Sequence, residues 1–174
     1  MNSLRALSAI STATADLMDD YADSAILLPP VFRHFGKRTE FHGPLACVNC
    51  FEDNSKVKEL LESPGYHPHT NESQVLLVNG QGSLTCALLG DMIAEKAVAQ
   101  GWAGIIIDGC VRDAGILEKL DIGIMALAAT PRKSIRQNRG EINPDTFYCR
   151  GQLIKPGYYC YADLDGIVIL PEAV

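Results

Sequence analysis

The chain has no excess of basic side chains: 15 Lys and Arg stand against 21 Asp and Glu, a formal charge of −6 at pH 7. A protein whose main partner is a phosphate backbone needs the opposite balance, so direct nucleic-acid binding is disfavoured. No run approaches the roughly 18 apolar residues of a membrane span, and no membrane partner is expected. The N-terminus offers one arginine, Arg5, within a weak apolar stretch over residues 4–10 that serine interrupts, followed by Ala13-Thr14-Ala15. That is a poor signal peptide, and the cytoplasm is the expected location. Cys47-Val48-Asn49-Cys50 lacks a second Cys-x-x-Cys or a His pair at zinc-ribbon distance. On a strand, residues three apart also point to opposite faces. The six cysteines therefore read as small buried hydrophobes of a reducing compartment. Internal repeats, low-complexity segments and linkers between composition regimes are absent. With 47% of its 174 residues apolar, the chain is too hydrophobic for disorder and suits one domain over 1–174, with residues 1–13 as a loose N-terminal extension.

The apolar pattern predicts alternating strands and helices. Thr14 is the expected N-cap of a first helix whose early carboxylates suit the helix dipole, and Pro29-Pro30 closes that region. Residues 32–41 and 45–51 predict a strand, a turn at Gly43-Pro44 and a second strand. Val57, Leu60 and Leu61 mark a short helix ended by Pro64-Gly65. Residues 66–73, with His67 and His69, read as a surface loop. The continuous runs 75–78 and 104–107 predict strands covered on both faces. A helix containing Met92, Ile93, Ala94, Ala97 and Val98 lies between them and stops where Gly101 supplies a left-handed C′ position. A short helix over 114–120 and a strand within 122–129 complete a βαβ arrangement. Residues 132–145 read as a polar loop rich in Lys, Arg and Asn, and the β-type segments 152–154, 158–161 and 166–170 close the chain. The fold class is α/β, a single-domain layered α/β/α sandwich with βαβ units.

In such sheets ligands bind beyond the carboxyl ends of the strands. Gly80-Gln81-Gly82 follows one strand, but a dinucleotide fingerprint needs a third glycine where Thr85 stands, and no Gly-Lys-Ser/Thr is present. Gly90-Asp91 interrupts a helical run, which suggests a break or a new start. If the helix starts there, the amides of Asp91, Met92 and Ile93 can hold a carboxylate or phosphate oxygen. The alternative is that Gly90 only allows close packing and Asp91 caps the helix. Asp108-Gly109-Cys110-Val111-Arg112-Asp113 follows the next strand and places Arg112 and Asp113 in the same crevice. Asp113 is then a hard oxygen ligand for Mg²⁺ or Mn²⁺, and Arg112 a fork for a substrate carboxylate or a developing enolate. The alternative is a local ion pair or an N-cap.

Asp91, twenty intervening residues and then Arg112-Asp113 resemble the motif of proteins related to the regulator of ribonuclease E activity A (RraA), a family that includes class II 4-hydroxy-4-methyl-2-oxoglutarate aldolases. Cys50-Phe51-Glu52-Asp53-Asn54, Gly101-Trp102-Ala103-Gly104-Ile105 and Leu120-Asp121-Ile122-Gly123-Ile124 resemble the regulator branch. The resemblance runs from about Thr14 to Leu170. It implies an RraA-like fold of the swivelling phosphohistidine-domain type and a homotrimer with sites near subunit contacts. It also implies that Asp113 binds the divalent cation and that the Gly90-Asp91-Met92-Ile93 backbone and Arg112 bind a small 2-keto acid. Asp91 and Arg112 are then the catalytic residues, Asp91 orienting a water on the metal and Arg112 steadying the enolate. The implied reaction is metal-dependent cleavage of 4-hydroxy-4-methyl-2-oxoglutarate to two pyruvates, with oxaloacetate decarboxylation as a second activity. Lys96 lies further along the same helix and no lysine adjoins the triad, which disfavours a Schiff-base route. The alternative function is protein-contact inhibition of an RNA-degrading enzyme, for which such an enzyme would be the partner.

Overall fold

The structure is a computed structural model that describes residues 11–174. The stretch 4–10 and most of the expected N-terminal extension lie outside the described residues. In chain order, α1 (Thr14–Asp20) is followed by β1 (Ile26–Leu27), β2 (Arg33–His34), β3 (Phe41–Asn49) and α2 (Ser55–Leu61). The middle of the chain forms β4 (Val75–Asn79), β5 (Ala87–Leu89), α3 (Asp91–Ala99), β6 (Gly104–Val111), α4 (Ala114–Leu117) and β7 (Gly123–Ala129). Then come β8 (Glu141–Ile142), the hairpin of β9 (Phe147–Cys149) and β10 (Gln152–Ile154), β11 (Tyr159–Ala162) and β12 (Ile167–Leu170). Among the described residues no helix is long and apolar enough to cross a membrane.

The main sheet runs β1-β12-β11-β3-β4-β6-β7-β2, with β3, β4, β6 and β7 parallel and the flanking pairs antiparallel. Its strands alternate strictly. Ala46, Val48, Leu76, Val78, Ile105 and Ile107 face α2, α3 and α4, whereas Leu45, Cys47, Val75, Leu77 and Ile106 face the opposite way. That second set meets Cys160, Ala162, Ile167 and Ile169 from β11 and β12 in one inner core. The outer faces of β11 and β12 pack Tyr159, Tyr161, Val168 and Leu170 against Leu17 of α1. The period of two has therefore sorted one sheet between an enclosed interior and two helix-covered exteriors. The sheet curls so far that His34 Nε2 on β2 donates to the Asp163 carbonyl just after β11, at 2.8 Å. The domain is α/β with helices on two outer sides, as expected. The curl and the enclosed core are what the pattern of elements alone does not reveal.

Several local expectations are corrected. Thr14 is the first residue of α1, not its N-cap: Ala13 precedes the helix, and the Thr14 N–H and hydroxyl both donate to the Asp163 carboxylate at 2.8 and 2.7 Å. Gly43 and Pro44 lie inside β3 and pair with Cys160 and Tyr159, and the glycine serves there to let the Ser73 carbonyl approach where no side chain would fit. Of the expected strand 32–41, Arg33 and His34 pair with β7, Arg38 makes an isolated bridge to Gly123, and Phe41 opens β3. Gly101 ends α3 with φ +84, as expected. Cys47 and Cys50 enter different cores, as the pleat requires. All six cysteines are free and buried, and burial pushes the Cys47, Cys50 and Cys149 thiols up to about 12.

The floor of the inner core rests on Phe41. Its ring lies against Gly104 and Gly123, register partners on β6 and β7, and a Cβ at either glycine would collide with it. Gly123→Ala should destabilise the fold by about 1–3 kcal/mol in urea unfolding, through overpacking. Adding Phe41→Leu should recover part of that loss, and strict additivity of the two changes would contradict the contact.

Candidate active site

Two halves of β6 have different neighbours on the same side. Residues 104–108 pair with β4, and Cys110 and Val111 pair with Ala87 and Leu89 of β5. β5 thus resumes the row that β4 leaves, and the apolar residues before Gly90 form a strand instead of helix. Because Leu89 pairs with Val111, the chain exits both strands side by side. Gly90-Asp91 and Arg112-Asp113 meet there, with the Arg112 N–H donating to the Leu89 carbonyl at 2.9 Å.

Helix α3 starts at Asp91, with Gly90 in an extended conformation at the N-cap position. The Asp91 N–H donates to Asp113 Oδ2 at 3.2 Å, and the Met92 N–H to Asp91 Oδ1 at 2.8 Å. Of the three amides expected to be free, only that of Ile93 lacks an acceptor among the described residues. The Ile93 side chain is buried in the outer core, and that of Met92 is exposed beside the cleft. A Cβ on Gly90 would stand 2.8 Å from Asp113 Oδ2 and 3.3 Å from Arg112 Nε, so the glycine makes room for both side chains. Asp113 itself holds a left-handed conformation, φ +59 and ψ +38, a strained state typical of sites where side-chain direction matters. It precedes α4 but makes no capping bond with its side chain. Its Oδ2 stands 3.9 Å from Arg112 Nε, a loose ion pair without a hydrogen bond, so the local ion-pair alternative holds for the two side chains and only a side-chain cap is missing among the described residues.

The strand after Gly104 extends to Val111, further than expected, and this moves Asp108 from a strand end into the sheet. There burial pushes its carboxyl up while Arg150, 2.8 Å away, opposes the shift. The glycine loop before it makes no phosphate cradle. The amides of Gln81, Gly82 and Ser83 donate inward, to Asn79 Oδ1, the Asp108 carbonyl and the Gly80 carbonyl.

The polar segment 132–145 is a loop apart from β8, yet it has a built geometry. The Ala87 N–H donates to the Arg132 carbonyl, the Ile135 N–H to the Glu52 carbonyl, and the Asn54 N–H to the Ile135 carbonyl, at 2.8, 3.1 and 3.3 Å. Asp53, fully buried, accepts the Gln137 and Arg139 amides on Oδ2 at 2.8 and 3.4 Å. Its Oδ1 takes the Ser55 hydroxyl at 2.6 Å and the Ser55 amide at 2.9 Å. Burial works against the charge, but the Ser55 hydroxyl and these amides outweigh it and hold the Asp53 carboxyl below its ordinary range. The result is a strap across a cleft of about 570 Å³, lined by Arg112, Lys133, Arg136, Asn54 and Met92 among others, with no carboxylate in its lining. Sequence reasoning missed Asn54, Lys133 and Arg136. The Lys- and Arg-rich composition of the loop was the available signal, and the fixed backbone was not visible in it.

The RraA-like family, described as Aldolase/RraA, matches residues 13–169. A protein of Xanthomonas campestris pv. campestris (strain B100), named "Putative 4-hydroxy-4-methyl-2-oxoglutarate aldolase", is 47% identical over 156 residues, covering 90% of this chain and 89% of that protein. A Pseudomonas fluorescens (strain Pf0-1) protein of the same name is 46% identical over 160 residues, covering 91% and 93%. The solved structure titled RNA-processing inhibitor RraA from Thermus thermophilis superposes with a TM-score of 0.87 at 41% identity, covering 95% of this chain and 96% of that one.

Asp53 makes the strap sensitive to acid. Its folded pKa is depressed, so its contribution to stability is present above the unfolded carboxylate value of about 4 and is lost as pH falls through the folded value. Asp53→Asn should cost about 1–3 kcal/mol at pH 7 by leaving buried donors without acceptors. It should also shallow the acid limb of a stability-versus-pH curve; an unchanged limb would assign that sensitivity elsewhere.

Proposed function

Because this chain belongs to the RraA-like family, we propose that it is a divalent-cation-dependent aldolase that cleaves 4-hydroxy-4-methyl-2-oxoglutarate to two pyruvates and decarboxylates oxaloacetate as a second activity. The observation that carries the reading is the abutment of Gly90-Asp91 and Arg112-Asp113 beside a cleft lined by three cations and no carboxylate. A cleft of that sign suits a dianionic keto acid although the whole chain is acidic.

The donor set fits a hard cation that keeps most of its waters. Among the described residues no group of three or more His, Cys, Asp or Glu could hold a metal, and Mg²⁺ or Mn²⁺ commonly takes only one or two protein carboxylates. Asp113 would hold it, since among the described residues that carboxylate accepts one hydrogen bond, from the Asp91 amide, lies 3.9 Å from Arg112 Nε and is partly exposed. When bound, the cation supplies Lewis acidity to the keto group of the substrate. The substrate carboxylate is received by the Ile93 N–H at the positive end of α3. The Oδ2 of Asp91, which has no hydrogen-bond partner among the described residues, takes the C4 hydroxyl proton through a water. The C3–C4 electron pair passes into the enolate of one pyruvate, which the Arg112 guanidinium steadies, while C4 becomes the keto carbon of the other. Protonation of that enolate completes the second pyruvate. A homotrimer belongs to the same proposal, supported by the exposed apolar side chains of Phe51, Leu84, Met92 and Ile135. So does a reducing, cytoplasmic setting, supported by six free cysteines.

The 41% identical inhibitor supports a second reading, in which the chain restrains an RNA-degrading enzyme by protein contact. Asp113→Ala separates the two: Mg²⁺-dependent pyruvate release should fall at least about 100-fold, while association with such an enzyme should persist. Wild-type protein that releases no pyruvate from either substrate with Mg²⁺ or Mn²⁺ would sink the aldolase reading. Gly90→Ala keeps an allowed backbone, φ −130 and ψ −173, but crowds Asp113. It should weaken Mn²⁺ binding about tenfold by calorimetry and leave the melting temperature nearly unchanged.

A further inference from the structure

Two of the three cations in the cleft have no part in the bond cleavage. Lys133 and Arg136 both come from the strap, and neither is in an ion pair among the described residues. Arg136 is nevertheless held in place. Its Nε–H donates to Asn54 Oδ1 at 3.2 Å, and Asn54, only 6% exposed, is itself fixed by donating from Nδ2 to the Leu88 carbonyl at 3.3 Å. That second bond sets which end of the amide faces the guanidinium.

The choice of an amide at position 54 has an electrostatic meaning. A carboxylate there would orient the guanidinium equally well and cancel its charge, whereas asparagine orients it and leaves the charge intact. The two terminal nitrogens keep their donors for a ligand. A fixed, uncompensated guanidinium in a cleft without carboxylates is suited to a carboxylate group, and Arg112 and the start of α3 already serve the reacting end of the substrate.

We infer that Arg136 reads the distal carboxylate of the ligand, with Asn54 as its positioning residue and Lys133 as a supporting charge, so that the cleft selects keto diacids over keto monoacids. The inference rests on the proposed reading of this cleft as a 2-keto acid site. It assigns the selectivity to the strap instead of to the residues that break the bond.

The test is calorimetric binding, with Mg²⁺ present, of 2-oxoglutarate and of 2-oxopentanoate, which carries a methyl group where the diacid has its second carboxylate. Wild-type protein should prefer the diacid. Arg136→Ala should weaken 2-oxoglutarate about 10- to 100-fold and change 2-oxopentanoate by less than about twofold. Asn54→Asp should erode the preference in the same direction with Arg136 still present, because the new carboxylate takes up its charge. Arg136→Lys should restore part of the preference. Equal loss for both ligands, or no loss for either, in Arg136→Ala would overturn the inference and leave the cleft a keto-acid site. Wild-type protein that binds neither ligand would overturn the site reading itself, and the inference with it.

Discussion

The geometry of the candidate site depends on the pairing of Leu89 with Val111. Two parallel strands that end at the same level release their chains at the same place, and here the releases are Gly90-Asp91 and Arg112-Asp113. The twenty residues between Asp91 and Arg112 are the helix and strand needed to return to that level, α3 and β6. A shift of one residue in β5 would turn its side chains over and move Asp91 away from Asp113. The spacing is therefore the length of one crossover, and its closure is what brings the candidate site residues together.

A second constraint is electrostatic and local. The chain carries six more negative than positive charges, yet the lining of the cleft holds Arg112, Lys133 and Arg136, with Asp91 and Asp113 beside it rather than in it. The sorting is done by burial. Asp53, the acid nearest the strap in sequence to Asn54, is taken inside and spent on backbone amides, while Asp108 is matched by Arg150. What remains facing the cleft is the basic side of a segment whose composition alone says only that it is polar.

Much of this was legible beforehand. Continuous apolar runs at 75–78 and 104–107 read as strands covered on both faces and are strands, and Gly101 marked the end of α3. That Gly90-Asp91 and Arg112-Asp113 share one crevice was readable because they lie next to glycine, strand ends and a helix start, whereas the roles given to Asp91, Arg112 and Asp113 come from the family resemblance and not from those local signals. The failures share one cause, which is partnership over long separations. Gly43-Pro44 has the chemistry of a turn, and β11 makes it a strand. Leu89 continues a helical run, and β6 makes it a strand. The curl of the sheet, and the strap that Asp53 ties down, depend likewise on contacts between segments that no window of sequence contains.

The carboxylate that caps α1 has a consequence in time. Thr14 leaves the ribosome 149 residues ahead of Asp163. A helix of seven residues has little stability alone, and its outer-core partners on β11 and β12 are also translated last. The beginning of the described chain must therefore wait, unfolded, for the end to be made. Its docking seals the domain, so a nascent chain stalled before Asp163 would leave its first segment open to chaperones and proteases whatever the state of the site.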